Sequence, residues 1–401
     1  MISPKINMYT VATLKSRLSL FLKMTRAARI ERKIDQQGVP EKSIALDHAI
    51  ELGVAWLCRA QDHSASNDGG VANYSLLSGW SASYPETTGY IVPTMLEYAR
   101  YSNDEAIRER ARRMLNWLVH IQLPEGGFQC GLIGSKPAIP VTFNTGQILL
   151  GLTAGVSQFG DQYRLSMCRA ADWLVQTQDA DGCWRKHSSP LTSLGVKSYE
   201  THVAWGLFEA ARIVPTKGYA EAAIANVRWA ISQQNDNGWF RNCCVTNPEQ
   251  PLTHTIGYVF RGLIEAYLFH SNSMVLESCE KLANGLTTVI REDGFLPGRL
   301  KSDWSSEADW ACLTGSVQIA HALILLYQVT QNVKYRDAAY SLNLYVRRTM
   351  QTTGDLNIIG GIKASFPIDG GYIPYGYPNW ACKFFVDSHL AEIRLRVQEA
   401  S

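Results

Sequence analysis

Apolar residues recur along this chain with helical spacing, in two alternating styles. One style is amphipathic. Around 104–121 the apolar positions fall three and four apart, while the run Glu109-Arg-Ala-Arg-Arg113 occupies another face. The other style is apolar on nearly every side, as at 144–155 and 312–326. A helix with a polar face belongs on the outside of a fold, and one apolar all round belongs inside. The pattern predicts outer helices near 43–61, 104–121, 162–177, 219–233, 273–289 and 333–350. It predicts inner helices near 86–101, 144–158, 199–213, 254–269, 312–328 and 379–396. An open stack of such hairpins needs a polar cap at each end, and neither end offers one. The expectation is an all-α closed ring, an (α/α)6 toroid over 43–401, preceded by a leading segment over 1–42.

A repeat underlies the pattern. Trp56–Gln61, Trp117–Gln122, Trp173–Gln178 and Trp229–Gln234 each begin with Trp and end with Gln. A turn follows them, clearest in Gln122-Leu-Pro-Glu-Gly-Gly-Phe128, Gln178-Asp-Ala-Asp-Gly-Cys-Trp184 and Gln234-Asn-Asp-Asn-Gly-Trp-Phe240. Arg291-Glu-Asp-Gly-Phe295 is a weaker copy. Gly126, Gly182, Gly238 and Gly294 recur every 56 residues. Glycine there supplies a left-handed residue that stops the outer helix. Asp179 and Asp181 could suggest calcium, but no glutamate stands at the spacing of a calcium loop.

These turns resemble the Q-x-x-D-G-x-W repeats of the terpene cyclase and protein prenyltransferase toroid superfamily, the squalene-cyclase-like group. The resemblance covers about residues 43–396 and implies architecture rather than chemistry. A class II terpene cyclase carries a D-x-D-D acid, which this chain lacks; the zinc set of the prenyltransferases has no match either. In length the chain is similar to carbohydrate-active toroids: unsaturated glucuronyl hydrolases, N-acylglucosamine 2-epimerases and toroid polysaccharide lyases. Tyr84-Pro-Glu-Thr-Thr-Gly-Tyr90, Phe143-Asn-Thr-Gly-Gln147, Leu252–Arg261, Cys312–Gln318 and Pro378–Phe385 also look like proteins encoded with bacterial surface-polysaccharide assembly genes.

Composition narrows the partners. A net charge of +2 from 38 basic and 36 acidic residues leaves no footprint for nucleic acid. No run of 18 apolar residues predicts a membrane span. Lys15, Arg17 and Lys23 break the N-terminal apolar stretches, against a secretory signal. Leu18–Met24 has amphipathic spacing suited to a leading helix or to weak peripheral membrane contact. Nine cysteines without a disulfide-like rhythm point to the reducing cytoplasm. The adjacent Cys243 and Cys244 make a poor metal pair, and the reading includes no metal and no cofactor.

In such a ring the connections entering the inner helices converge on one mouth. Those connections hold Tyr84, Glu86, Tyr90, Asn144, Gln147, Tyr199, Glu200, His202, His254, Tyr258, Arg261, Asp309, Trp310, Asn379 and Trp380, with Trp304 in a nearby loop. Burying polar groups unpaired costs roughly 1–3 kcal/mol each, so a cluster of them suits a wet cavity. N-capping accounts for the threonines at these starts, but not for the aromatics or His254.

His254, His202, Tyr258 and Tyr199 are base and acid candidates. Glu86 and Glu200 are either catalytic carboxyls or acids at helix starts. Arg261 wants a carboxylate, either a substrate uronate or Glu265. Tyr84, Tyr90, Asn144, Gln147, Trp304, Asp309, Trp310, Asn379 and Trp380 are the substrate-binding candidates, the aromatics by stacking on sugar rings. The expected function is a carbohydrate-active enzyme on an acidic bacterial surface polysaccharide or its precursor. It would abstract a proton next to a uronate, as a lyase or C5-epimerase. A glycoside hydrolase with paired carboxylates, a terpenoid or prenyl enzyme and a non-catalytic glycan-binding protein remain alternatives.

Overall fold

The structure is a computed structural model that describes residues 24–192 and 195–400. The N-terminal amphipathic stretch expected near Leu18–Met24 lies almost wholly outside the described residues. Among the described residues, a leading helix α1 (Arg26–Asp35) precedes twelve α-helices that alternate between two concentric layers. The outer layer is α2 (Leu46–Asp62), α4 (Glu105–Ile121), α6 (Arg164–Thr177), α8 (Tyr219–Ile231), α10 (Ser273–Thr287) and α12 (Val333–Arg348). The inner layer is α3 (Pro85–Ser102), α5 (Thr142–Phe159), α7 (Thr201–Ile213), α9 (Thr253–His270), α11 (Leu313–Thr330) and α13 (Asn379–Ala400). Each inner helix packs on the next, and α13 returns to α3 and to α2, so the ring is closed. At the seam the Cys382 thiol lies 3.2 Å from the Gly53 carbonyl. The fold is the expected (α/α)6 toroid.

Side-chain caps start several outer helices. Asp104 accepts from the amide of Ala106, Asn272 from Met274 and Asn332 from Lys334. The inner helices are apolar enough that α11 passes a length and hydropathy test for a membrane span, yet 72% of that window is buried inside the ring.

The repeat glycines do more than stop helices. Gly126, Gly182, Gly238 and Gly294 all have positive φ, between 86° and 104°. A Cβ on each would overlap the carbonyl of Arg169, Ala225, Lys281 or Ser341, on the following outer helix. Gly360 (φ 77°) sits in the same way against Leu52 of the first outer helix, and Gly69 (φ 102°) faces Arg113 less closely, at 3.3 Å from an added Cβ. The turn therefore occurs six times, and its sixth copy closes the ring. The repeated glutamines staple the same junctions. Gln178 Nε2 donates to the carbonyls of Gly182 and Ala222, both at 2.9 Å. Gln61, Gln122 and Gln234 bridge their own junctions in the same way. Gln178→Ala is expected to lower stability by about 1–3 kcal/mol, read by urea titration, because the junction loses two hydrogen bonds, with Asn226 Nδ2 still donating to the Gly182 carbonyl. Asp179 and Asp181 grip Arg185 at 2.9 and 2.6 Å, which occupies the acids of that turn.

Five two-residue strands, absent from the sequence expectation, organise the mouth. β1 (Tyr74–Ser75) pairs antiparallel with β2 (Gly79–Trp80) and with β5 (Gly376–Tyr377). β3 (Ala311–Cys312) pairs antiparallel with β4 (Ser365–Phe366). They tie the loop before the first inner helix to the loop before the last. Helix α1 is held on the ring by Lys363, which reaches both Glu31 and Asp35.

Candidate active site

The connections entering the inner helices enclose a cavity of about 410 Å³. Six of its seven aromatic walls are Tyr84, Tyr90, Phe143, Tyr199, Tyr258 and Trp380, and the seventh is Tyr372. Each helix start places its residues for a local reason. In α3, Thr88 Oγ1 donates to the Tyr84 carbonyl (2.8 Å) and accepts from the Val71 amide (2.9 Å). In α5, Thr145 makes the matching pair with Val141 and Phe128. Contrary to the expectation for these starts, neither threonine caps its helix; each ties the helix start to the loop before it, and the neighbouring Glu86, Asn144, Glu200 and His254 face the cavity.

His254 Nδ1 lies 2.8 Å from Gln318 Oε1. Since that oxygen only accepts, Nδ1 carries the proton and Nε2 is left with a free lone pair. Burial pushes the His254 pKa down to about 4, so the ring is uncharged at neutral pH. Tyr258 and Tyr372 stand 4.6 and 5.4 Å from it, ring centre to ring centre. Across the cavity Glu86 accepts from Asn144 Nδ2 at 2.9 Å. Burial raises the Glu86 pKa to about 8, so it holds a proton at neutral pH. Glu200 is raised by burial to about 7, against the opposing pull of Lys197, whose Nζ lies 3.4 Å away. The hydroxyls of Tyr84, Tyr199, Tyr258 and Tyr372 are all pushed well above their ordinary value by burial, which keeps them as donors.

Tyr84, Glu86, Tyr90, Asn144, Tyr199, Glu200, His254, Tyr258 and Trp380 come together in the cavity. The other candidates do not. His202 lies fully buried behind Tyr258 (4.7 Å between ring centres), with Nδ1 held by Gln147 at 2.6 Å. That bond also accounts for Gln147. Arg261, two turns beyond His254 and so about 10 Å deeper along its helix, is taken by Glu265 at 2.6 Å and lies over the Trp205 ring at 4.3 Å. Of its two expected partners, the structure supplies Glu265. Trp304 packs edge-on to Trp239 in the outer wall, with Nε1 donating to the Asn237 carbonyl. Asp309 is exposed and borders a separate surface cleft with Arg291 and Arg348. Trp310 wedges between Gly298 and Gly371 behind the cavity wall. Asn379 ties α13 to the carbonyls of Val71 and Ala72.

Among the lining residues outside the helix starts, Tyr372, Lys197 and Arg299 bring polar chemistry that escaped the sequence reading. Tyr372 comes from the loop before α13 and accepts from Trp380 Nε1 at 2.9 Å. Its signal was the unusual Gly370-Gly-Tyr-Ile-Pro-Tyr-Gly-Tyr-Pro378 tract. Lys197 and Arg299 come from long loops and carry no signal of their own.

Residues 46–264, more than half of the chain, match the family of the squalene-hopene cyclase C-terminal domain. The chain belongs to that family. No curated protein matches it. Among solved structures, an unsaturated glucuronyl hydrolase specific for heparin is similar with a TM-score of 0.70 at 15% identity, over 88% of this chain and 98% of that one. The unsaturated glucuronyl hydrolase of Bacillus sp. GL1, responsible for glycosaminoglycan degradation, gives 0.68 at 15% identity, over 86% and 96%. The cellobiose 2-epimerase of Bacillus thermoamylovorans gives 0.66 at 11% identity, over 85% and 95%. At these identities the likeness is one of fold. Within the squalene-hopene cyclase family the present chain lacks the D-x-D-D acid, and its cavity carries Glu86, Lys197, Glu200 and Arg299 among the aromatics.

The Glu86 proton has a consequence for stability. The folded chain keeps it up to about pH 8, whereas the unfolded chain releases it near the ordinary 4.5. Stability from this group is therefore full below pH 4.5 and is lost as pH rises through about 8. Glu86→Gln keeps the acceptor for Asn144 without the titration. It should match the parent in acid and exceed it above pH 8, read by thermal unfolding at both pH values.

Proposed function

We propose that the chain is a cytoplasmic carbohydrate-active enzyme on an acidic surface polysaccharide or its precursor. It removes the C5 proton next to a uronate carboxylate, leading to β-elimination or C5 inversion. One observation carries this reading: a single cavity holds an uncharged imidazole with a free nitrogen, a protonated carboxyl and two cations, all among aromatic walls. His254 Nε2 takes the C5 proton, and the C–H electron pair moves into the carboxylate. Lys197 and Arg299 border the cavity as cations, and the Tyr258 hydroxyl donates to the developing charge. In elimination the C4–O bond then breaks, and Glu86 protonates the departing oxygen. In inversion C5 is reprotonated on its other face.

Glu86 and Glu200 in one cavity, with raised pKa values of about 8 and about 7, favour a hydrolase as the second reading. A hydrolase needs its carboxyls about 5–10 Å apart. The test is incubation with a panel of uronate-containing oligosaccharides, following near-ultraviolet absorbance and chain length. New absorbance from an unsaturated uronate means elimination, and shortening without absorbance means hydrolysis. Unchanged chains with inverted C5 mean epimerisation. No change on any substrate, the native polymer included, refutes the enzyme reading.

A further inference from the structure

We propose that Arg299 is the seat of the substrate's carboxylate, and so the residue that makes the cavity select an acidic sugar over a neutral one. The inference rests on the saccharide reading above and assigns one residue to its anionic group.

Arg299 lies in the loop between α10 and α11. Its backbone bridges to Leu252 at the start of α9, and its carbonyl accepts from Ser306 Oγ at 2.6 Å. Nη1 donates to the Gln250 carbonyl at 2.6 Å. That is its only side-chain hydrogen bond among the described residues. Among them, no carboxylate stands within 4.0 Å of it. The segments outside the described residues contribute no Asp or Glu side chain.

Several other interior cations have an acid, although Arg59, away from the cavity, has only the Ile359 carbonyl among the described residues. Lys197 has Glu200, Arg261 has Glu265, Lys363 has Glu31 and Asp35, and Lys383 has Asp387. Arg299 is the cavity cation left without an acid. A half-buried cation beside the apolar Leu252 is costly unless an anion joins it. Burial lowers the Arg299 pKa from its ordinary value, and a bound anion would restore it. The planar fork of a guanidinium matches the two oxygens of a carboxylate.

The test is calorimetric titration of the full chain with a short oligoglucuronate and with its carboxyl-reduced, neutral counterpart. The parent should bind the uronate about 10–100-fold more tightly, the range expected for hydrogen bonds to a charged group. Arg299→Gln should abolish that preference, and Arg299→Lys should keep part of it. His254→Asn should leave it intact, since the base does not hold the carboxylate. Thermal unfolding confirms that each variant is folded. A parent without preference, or an Arg299→Gln variant that retains it, overturns the proposal. Binding with the expected preference but without turnover by the parent leaves Arg299 in place and defeats the catalytic reading instead.

Discussion

His254→Asn is expected to lower kcat by about 10²–10⁴-fold while leaving the fold intact, the range typical for losing a positioned general base. The amide nitrogen of asparagine can take over the bond from Nδ1 to Gln318 Oε1, now 2.8 Å. What it cannot supply is the lone pair of Nε2. A burial-depressed pKa of about 4 means that the parent ring is ready to accept a proton at any pH above that value. Activity should therefore fall on the acid side near pH 4. It should fall on the alkaline side near pH 8, as Glu86 loses its proton. His202→Asn is the informative contrast. That ring sits behind Tyr258, bound to Gln147, so its loss should act through packing and stability rather than through the pH profile. Steady-state kinetics across this pH range, with unfolding curves for both variants, separate the two roles.

Gly238→Ala is expected to cost about 2–5 kcal/mol. The left-handed backbone contributes about 1–2 kcal/mol of strain. The overlap of the new methyl group with the Lys281 carbonyl contributes about 1–3 kcal/mol more. Gly218→Ala is the control, because Gly218 has φ 74° and ψ 11° but no neighbour within van der Waals reach of an added Cβ other than a Glu221 oxygen at 4.0 Å. It should show the strain alone, about 1–2 kcal/mol. Urea titration of both variants reads the difference. Equal losses would mean that the close approach between hairpins is not what the glycine column is for.

The ring was legible because two independent signals agreed. Apolar periodicity separated inner from outer helices, and the glycine column set their phase. The end copies of the turn were not legible. Gly69 follows Gln61 by eight residues rather than four, and Gly360 follows no Trp–Gln segment at all. What those turns require is only the absence of a Cβ against the next helix, and many spacings satisfy that.

The site was legible where the repeat places it. Glu86, Asn144, Glu200 and His254 all precede a threonine in the first turn of an inner helix, so their direction follows from the helix start. Asp309 and Trp304 failed that rule because they belong to the long loop before α11, whose path no local pattern records. Arg261 failed for a different reason. It shares the helix face of His254, but two further turns place it below the mouth, where Glu265 one turn on takes it. Arg299 and Tyr372 reach the cavity from long loops, Arg299 held by its backbone bridge to Leu252 and Tyr372 by the bonds of its backbone to Ser365 Oγ.

The central claim is proton transfer at the carbon next to a uronate carboxylate, by His254. Proton NMR of a uronate oligosaccharide incubated with the protein in D2O tests it most directly. The account predicts that the H5 signal is lost, by exchange with solvent or by formation of an unsaturated product, and that it persists with His254→Asn. An H5 signal untouched by the parent, or lost equally fast with His254→Asn, would contradict it.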